Sequence, residues 1–253
     1  MRAKNWQKPL PWLVVAALLV LWEVCVRAFD VPLYVLPGPI DVIEALFADV
    51  DALFPHALVT LSEAALGMVI ALAFGLLLGV VMDAFPVVRR CVYPILVVTQ
   101  TVPMIVLAPI LIIYLGFGMA PKILTVVLMC FFPVAVNFTD GMSQVDKGYV
   151  DLVRSYGASR AQVYALVKLP AALPPLFSGL RVAATYSISG AVVGEWIGSQ
   201  RGLGYYLLRV KESYMLDRVF ACVVVIVALS LLMNGIVRLC QYIFLPFLRR
   251  AKG

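Results

Sequence analysis

Charge is scarce in this chain: 13% of its 253 residues are Asp, Glu, Lys or Arg, while 63% are hydrophobic, against about 25% and 45–50% in a soluble domain. That deficit excludes an ordinary fold in water and makes lipid the natural solvent. Histidine is down to His56 alone, which at a helix entry reads as an interfacial residue and not as a metal ligand or a general base. The five cysteines, Cys25, Cys91, Cys130, Cys222 and Cys240, stand singly in or beside apolar stretches without C-x-x-C spacing, which leaves them as small hydrophobic fillers. No G-x-x-x-x-G-K-[ST] loop occurs, so the chain is not expected to bind and split ATP itself in the usual way. The glycines of GFG (116–118) and GLG (202–204) read as turn residues. With no nucleophile–base pair and no carboxylate cluster, an enzyme is a poor reading. A net charge of +6 does not point to nucleic acid either, because the basic residues are not gathered on one solvated module.

What is present is apolar length. A spanning helix needs about 20 mostly apolar residues, and such stretches lie near 11–29, 60–82, 92–115, 121–139, 175–197 and 219–245. The fold expected is an all-α polytopic membrane protein, one domain over 1–253 with about six crossings and a cytoplasmic two-helix loop near 143–170. The segments between the stretches are too short to hold a core of their own. The first stretch is long and no small-residue cleavage site follows it, so it reads as a retained helix and not as a signal peptide.

The distribution of Lys and Arg sets the orientation. With the N-terminus inside, the inner segments carry Arg2, Lys4 and Lys8, then Arg89 and Arg90, then Lys147, Arg154, Arg160 and Lys168, then Arg249, Arg250 and Lys252. The first outer loop, 30–56, has no Lys or Arg and holds Asp30, Asp41, Glu44, Asp49 and Asp51. Both termini are therefore expected in the cytoplasm. The outer loop 198–218, with Arg201, Arg209, Lys211 and Arg218, runs against the pattern.

Between the fourth and fifth stretches lies DLVRSYGASRAQVYALVKLP (151–170), polar where its surroundings are not. Asp146 is placed to cap a helix over about 147–156, and Gly157 suits the left-handed position that ends it. Ser159 followed by Gln162 is a capping box opening a second helix, which Pro170, Pro174 and Pro175 are expected to end before the fifth span. Leu152, Val153, Tyr156, Val163, Tyr164, Leu166 and Val167 give both helices apolar faces. Such a pair either lies in the headgroup layer or fits a groove in a soluble partner.

The stretch resembles the signature of the membrane-spanning subunits of bacterial ATP-binding-cassette importers: EAA, three residues, Gly, nine residues, then I-x-L-P. Here Asp151-Leu152-Val153, Gly157 and Val167-Lys168-Leu169-Pro170 stand at those spacings, with Asp for Glu and Leu-Val for the two alanines. YVLPGPIDVIEAL (34–46), LPAALPPLFSGLRVA (169–183) and AVVGEWIGSQRGLGYYL (191–207) extend the resemblance, toward the branch that carries nitrate, sulfonate, taurine and pyrimidine precursors. The resemblance implies that the elbow is a coupling helix docking on an ATPase subunit through Asp151, Arg154, Tyr156, Gly157, Ala158, Ser159 and Arg160. It further implies two permease copies, as a homodimer, in a bacterial inner membrane. ATP and Mg would be bound by two separate ATPase subunits, leaving this chain no cofactor, and an external solute-binding protein would deliver the cargo.

Candidates for the cargo path come from helical spacing. Ser178, Thr185, Ser189 and Trp196 share one face of the fifth stretch; small residues there serve equally for close helix packing. In the third stretch Gln100, Met104, Leu107, Leu111 and Tyr114 align on one face of a helix interrupted by Pro94, Pro103 and Pro109. Such prolines suit a gate, and a Met, Leu and Tyr stripe suits plain packing. Ionisable groups at membrane depth are costly and usually functional, which singles out Glu195, with Glu63 and Glu23 behind it. The resemblance puts Glu195 in the GEWIG segment shared by permeases of differing cargo, hence in a gating or structural role. Arg181 is expected to snorkel to the inner headgroups. Phe131, Phe132, Tyr186 and Trp196 near the centre would stack on a flat ring.

The expected function is thus an ATP-driven importer's permease for a small polar organic nutrient, a pyrimidine-type vitamin precursor or similar heterocycle first, and a sulfonate, taurine or nitrate as the alternative. An ion-gradient-driven secondary carrier and a membrane scaffold recruiting a cytoplasmic protein are the rivals from other classes.

Overall fold

An apolar side chain gains little by leaving lipid for a neighbouring helix, so helices in a membrane are held by close packing and by polar pairs. The computed structural model, which describes residues 10–245, is organised by both. Its helices are α1 (Leu10–Ala28), α2 (Pro39–Ala48), α3 (Val50–Ala84), α4 (Pro86–Thr99), α5 (Met104–Leu115), α6 (Met119–Ser143), α7 (Lys147–Ser155), α8 (Arg160–Val163), α9 (Leu169–Glu195), α10 (Leu203–Glu212) and α11 (Leu216–Phe244). No strand occurs among the described residues.

At the centre, α6 is sandwiched between α3 and α9. On α3, Ala64, Gly67, Ala71, Gly75 and Gly79 recur every three or four residues and form a groove of small side chains. A Cβ added at Gly67 would come within 2.5 Å of Val126, and one at Gly75 or Gly79 within 2.7 Å of Val134 or Phe138 respectively. On the other side of α6, Gly179 of α9 lies against the carbonyl of Pro133, and Gly194 against the backbone of Lys122. α1 sits at the periphery with only Val26 buried. It is tied to α2 by Arg27, which meets Glu23 at 2.9 Å and Asp41 at 2.7 Å.

Five segments are long and apolar enough to cross a membrane: Leu10–Ala28, Val50–Ala84, Met119–Ser143, Arg160–Glu195 and Leu216–Phe244. The third crossing is interrupted at one of its three prolines: α4 and α5 meet at 103° at Pro103, whereas Pro94 and Pro109 stay inside their helices. The cause is local. Pro103 has an extended backbone (φ −62°, ψ 121°) and no N–H to offer, and it disfavours the helical conformation at Val102. The carbonyls left at the end of α4 are taken up by hydroxyls, Thr99 donating to Leu96 O at 2.8 Å and Thr101 to Val98 O at 2.8 Å. Gln100 therefore belongs to the break and does not continue the helical stripe of Met104, Leu107, Leu111 and Tyr114.

A second correction concerns the fifth crossing. Pro170, Pro174 and Pro175 do not end the elbow's second helix. α8 runs through a π-turn at Tyr164–Lys168 straight into α9, with all three prolines inside the resulting rod. The wider turn, in which Leu169 N–H reaches back to Tyr164 O, takes up the mismatch ahead of Pro170. Two further helices fill loops the sequence reading left without structure, α2 within 30–56 and α10 within 198–218. α3 also begins at Val50 and not near 60. Its 35 residues span about 52 Å, beyond the ~30 Å hydrocarbon layer.

The α3–α6 groove can be tested by filling it. Gly75→Leu should destabilise the detergent-solubilised protein by about 1–3 kcal/mol, read as a lowered thermal unfolding midpoint. Gly235→Leu, on α11 with nothing within 4 Å of an added Cβ, should leave the midpoint unchanged.

Candidate functional site

Three regions concentrate polar chemistry, one at each end of the bundle and one along its side. At one end α7 and α8 form an elbow whose local structure follows its caps. Asp146 accepts from Gly148 N–H at 2.8 Å, Ser159 N–H donates to Gln162 Oε1 at 2.8 Å, and Gln162 N–H donates back to Ser159 Oγ at 3.4 Å. Between them Gly157, with φ 83°, takes the left-handed conformation that turns the chain. Asp151, Arg154, Tyr156, Gly157, Ser159 and Arg160 are all exposed here, and Ala158 is half-buried.

No residue of α7 is buried. Tyr149 (65% exposed), Leu152 (53%) and Tyr156 (85%) follow one another at i, i+3 and i+7, an apolar face left largely uncovered by the described residues. The elbow is nonetheless anchored at its root. Asp83, at the end of α3, accepts from Tyr164 Oη and from Lys168 Nζ, each at 2.6 Å, with the ammonium 5.0 Å from the centre of the Tyr164 ring. Beside it Arg89 of α4 pairs with Asp140 of α6 at 2.9 Å. The acidic partners Asp83 and Asp140 were not singled out in the sequence: pairs separated by 51 to 85 positions leave no periodic trace.

At the opposite end Glu195 closes α9. It is 1% exposed and so does not line an open path with Ser189 and Thr185. Its Oε1 accepts from Thr60 Oγ1 at 2.6 Å and its Oε2 from Gly204 N–H at 2.6 Å, while Thr60 Oγ1 accepts from Leu203 N–H at 2.8 Å. Gly202 (φ 110°) lies so close that any Cβ would collide with the Glu195 carboxyl, which is why the GLG loop can fold over it. His56 accepts from Gly202 N–H at Nδ1, 3.0 Å away, a loop-holding contact. Glu63 pairs with Lys122 at 2.9 Å, both nearly buried.

The acidic outer loop is paired to its surroundings. Asp49 accepts from Tyr206 Oη at 2.5 Å and meets Arg218 at 3.1 Å. Burial, reinforced by that carboxylate, pushes the Tyr206 phenol above its ordinary range, so it keeps the proton it donates. Arg218, one of the cations that ran against the orientation pattern, is thereby neutralised by an acidic partner from the other loop.

Along the side, α9 presents Ser178, Arg181, Thr185, Tyr186 and Ser189 outward. Gln100 and Met104 share a cavity of about 320 Å³ with Val102, Pro103, Leu128, Met129 and Tyr186. Ser178, Arg181, Val182, Thr185 and Tyr186 line a second, of about 530 Å³, with Asn234 of α11. Asn234 Nδ2 donates to Thr185 Oγ1 at 3.0 Å, and Arg181 is held by Gln241 at 2.6 Å and Ser178 at 3.1 Å. Tyr114 is 83% exposed at the far end of α5 and joins neither cavity. Trp196 lies past the last turn of α9, half-buried, its indole N–H without an acceptor among the described residues. Asn234 and Gln241 also went unmarked in the sequence, though both are polar residues inside an apolar run.

Comparison with known proteins places this geometry. Residues 71–249 match the family described as binding-protein-dependent transport system inner membrane component. The chain is 36% identical over 221 residues to a probable ABC transporter permease protein of Haemophilus influenzae, covering 87% of this chain and 90% of that one. It is 33% identical over 248 residues to the formylaminopyrimidine transport permease protein ThiX of Halalkalibacterium halodurans (98% and 99%). To the taurine transport system permease protein TauC of Escherichia coli it is 33% identical over 238 residues (91% and 86%). Among solved structures, an amino acid ABC transporter superposes with a TM-score of 0.60 at 18% identity, over 78% of this chain and 95% of that one, a likeness of fold. With the family matched over most of its length, the chain belongs to the inner-membrane permease components of binding-protein-dependent ABC importers, a transport subunit and not an enzyme.

Proposed function

We propose that two copies of this chain form the translocation unit of an importer, with the elbow of each seated in an ATPase subunit on the cytoplasmic side and a solute-binding protein delivering cargo to the opposite face. The observation that carries the reading is the bare apolar face of α7: Tyr149, Leu152 and Tyr156 project on a helix with no buried residue. A partner that covers them gains what the chain itself forgoes. The sidedness follows from the elbow. Arg89, Arg90, Lys147, Arg154, Arg160 and Lys168 lie toward its end, the cytoplasmic pattern, and both termini then face the cytoplasm. The basic residues at 2–8 and 249–252 that support the same orientation lie outside the described residues.

Force applied to the elbow has two routes inward. One is α9 itself, because α8, the π-turn and α9 are continuous. The other is Asp83, which ties the root of the elbow to α3. ATP binding in the partner would close the ATPase pair and move both elbows, opening the path outward, and hydrolysis would reset it. The path itself is the outward face of α9 with its α4–α5 and α11 neighbours. Ser189 and Gln100 are polar and exposed on a membrane crossing, where hydrocarbon offers them no partners, so water or the second copy must cover that face, to which Thr185 also belongs.

The cargo is a small polar organic nutrient. A pyrimidine-type precursor is favoured by similarity along the whole chain to a formylaminopyrimidine permease and by Tyr186 on both cavities. A sulfonate is favoured by Arg181, a cation on the same face.

Leu152→Asp together with Tyr156→Asp should weaken ATPase binding about 30-fold or more, measured by titrating purified permease against its ATPase, with membrane insertion intact. Asp151→Lys, and Gly157→Val at its positive φ, should lower uptake in the same way; unchanged coupling in both would remove the docking assignment. For the path, Thr185→Cys and Ser189→Cys, in a background lacking the five native cysteines, should react with a membrane-impermeant maleimide roughly tenfold faster than Leu231→Cys, since a thiol ionises in water and not in lipid. Leu231 is 67% exposed on α11, so equal rates would show the α9 face to be ordinary lipid contact.

A further inference from the structure

We propose that Arg181 is the binding group for an oxyanion of the cargo, a carboxylate, sulfonate or phosphate, in the cavity between α9 and α11. The inference rests on the importer reading and adds the chemical class of what passes.

Among the described residues, five cations in the membrane crossings or at their ends have acidic partners, while Arg90 of α4 and Arg238 of α11 have none and are exposed. Arg27 meets Glu23 and Asp41, Arg89 meets Asp140, Lys122 meets Glu63, Lys168 meets Asp83 and Arg218 meets Asp49. Arg181 is the contrast. It sits midway along α9, half-buried, and its two hydrogen-bond partners are neutral: Nη1 donates to Gln241 Oε1 at 2.6 Å and Nη2 to Ser178 Oγ at 3.1 Å. Among the described residues no carboxylate pairs with it. A guanidinium keeps its charge at any physiological pH and has five N–H groups, so further donors remain once Gln241 and Ser178 are served. An uncompensated charge on a membrane crossing is costly and is tolerated where it has a task.

The cavity's composition says which task. It is lined by Ser178, Arg181, Val182, Thr185, Tyr186 and Asn234, with no acidic side chain, and its volume of about 530 Å³ lies within the range of small-molecule sites. Its neutral polar groups largely serve one another. Thr185 Oγ1 donates to Arg181 O at 3.3 Å and accepts from Asn234 Nδ2 at 3.0 Å, while Ser178 Oγ donates to Pro174 O at 3.2 Å. What is left facing the space is the guanidinium, with the Tyr186 ring beside it. Gln241 and Ser178, from two different helices, fix the plane of the guanidinium, and a planar fork held in place is suited to two parallel bonds with an oxyanion. Within the cargo classes above, this favours an acid such as a sulfonate over an uncharged pyrimidine.

The same oxyanion chemistry could be supplied by a phospholipid headgroup, and the test separates the two. Thermal unfolding of the purified permease, alone and with its ATPase, is followed in sodium acetate or sodium methanesulfonate against sodium chloride at equal ionic strength. The wild type should show a saturable rise of about 2–4 °C with either organic anion. Arg181→Gln should abolish it, whereas Arg209→Gln, which removes the same charge from exposed α10, should keep it. Arg181→Lys, which retains charge without the fork, should bind the anions at least about fivefold more weakly and serves in place of the glutamine variant if that fails to fold. No anion-specific rise in the wild type, or an equal rise in the Arg181 variants, overturns the proposal. So does a phospholipid that native mass spectrometry finds retained by the wild type and lost by Arg181→Gln, which would give the site to a headgroup. Failure of the wild type to hold any ATPase would strike the importer reading instead, and is scored separately from the anion shift.

Discussion

Hydrocarbon offers no hydrogen bonds, so each polar group along the crossings of this chain must find a partner in protein or a reason to meet water. That constraint sorts the polar residues of α9 and its neighbours into two sets. Glu195, Thr60, Glu63 and Lys122 are buried and answered by one another or by backbone N–H groups. Ser189 and Gln100 are exposed on a crossing with no side-chain hydrogen bond among the described residues. Helices of one chain cannot satisfy the second set by packing more tightly, because the exposed side of α9 has already used its small residues, Gly179, Ala183, Gly190 and Gly194, against α6 on its other side. The asymmetry of α9, close-packed on one face and polar on the other, is what ties the fold to transport.

Much of this was legible in the sequence because it was written locally. Apolar stretches of about the right length, a helix closed by Gly157 and the Ser159–Gln162 capping box depend on neighbours within a few positions; five of the six stretches are found as crossing helices, and the sixth as the bent α4–α5 pair. Expectations went astray where proline had to be read. Pro103 breaks its crossing through 103°, whereas Pro170, Pro174 and Pro175 are absorbed without a break. The residue type is the same, and the difference lies in what surrounds it. The carbonyls around the Pro103 break are closed by Thr99 and Thr101 with no helix continuing, while Pro170 follows a π-turn fixed from outside by Asp83 holding Tyr164 and Lys168.

Long-range pairs were the other blind spot. Asp83, Asn234 and Gln241 could have been flagged only as polar residues in apolar runs, the criterion that did find Glu195. That criterion shows that a polar residue has a role without showing which. Glu195 was marked as an ionisable group at membrane depth and counted among the path candidates with Ser189 and Thr185, yet it is sealed beneath Gly202 and Gly204. A turn of α9 separates a residue that meets the open face from one that meets α3 and α10, and spacing alone resolves that poorly near a helix end.

The two ends of the α3–α9 pair complete the mechanical argument. Near the elbow, Asp83 of α3 holds Lys168 and Tyr164 just ahead of α9; at the far end, Thr60 of α3 holds Glu195, the last residue of α9. Between them α6 fills the groove against both helices, with glycines at the points of closest approach. Two helices bonded at both ends and packed through a common third cannot slide past one another without breaking a buried polar contact and a close-packed seam together. A push on the elbow must therefore move α3, α6 and α9 as one body. The compliance lies where such contacts are few, at the 103° break between α4 and α5. Gln100, Val102 and Pro103 of that break line a cavity with Tyr186, so the part of the bundle free to yield is also the part that borders the polar face of α9.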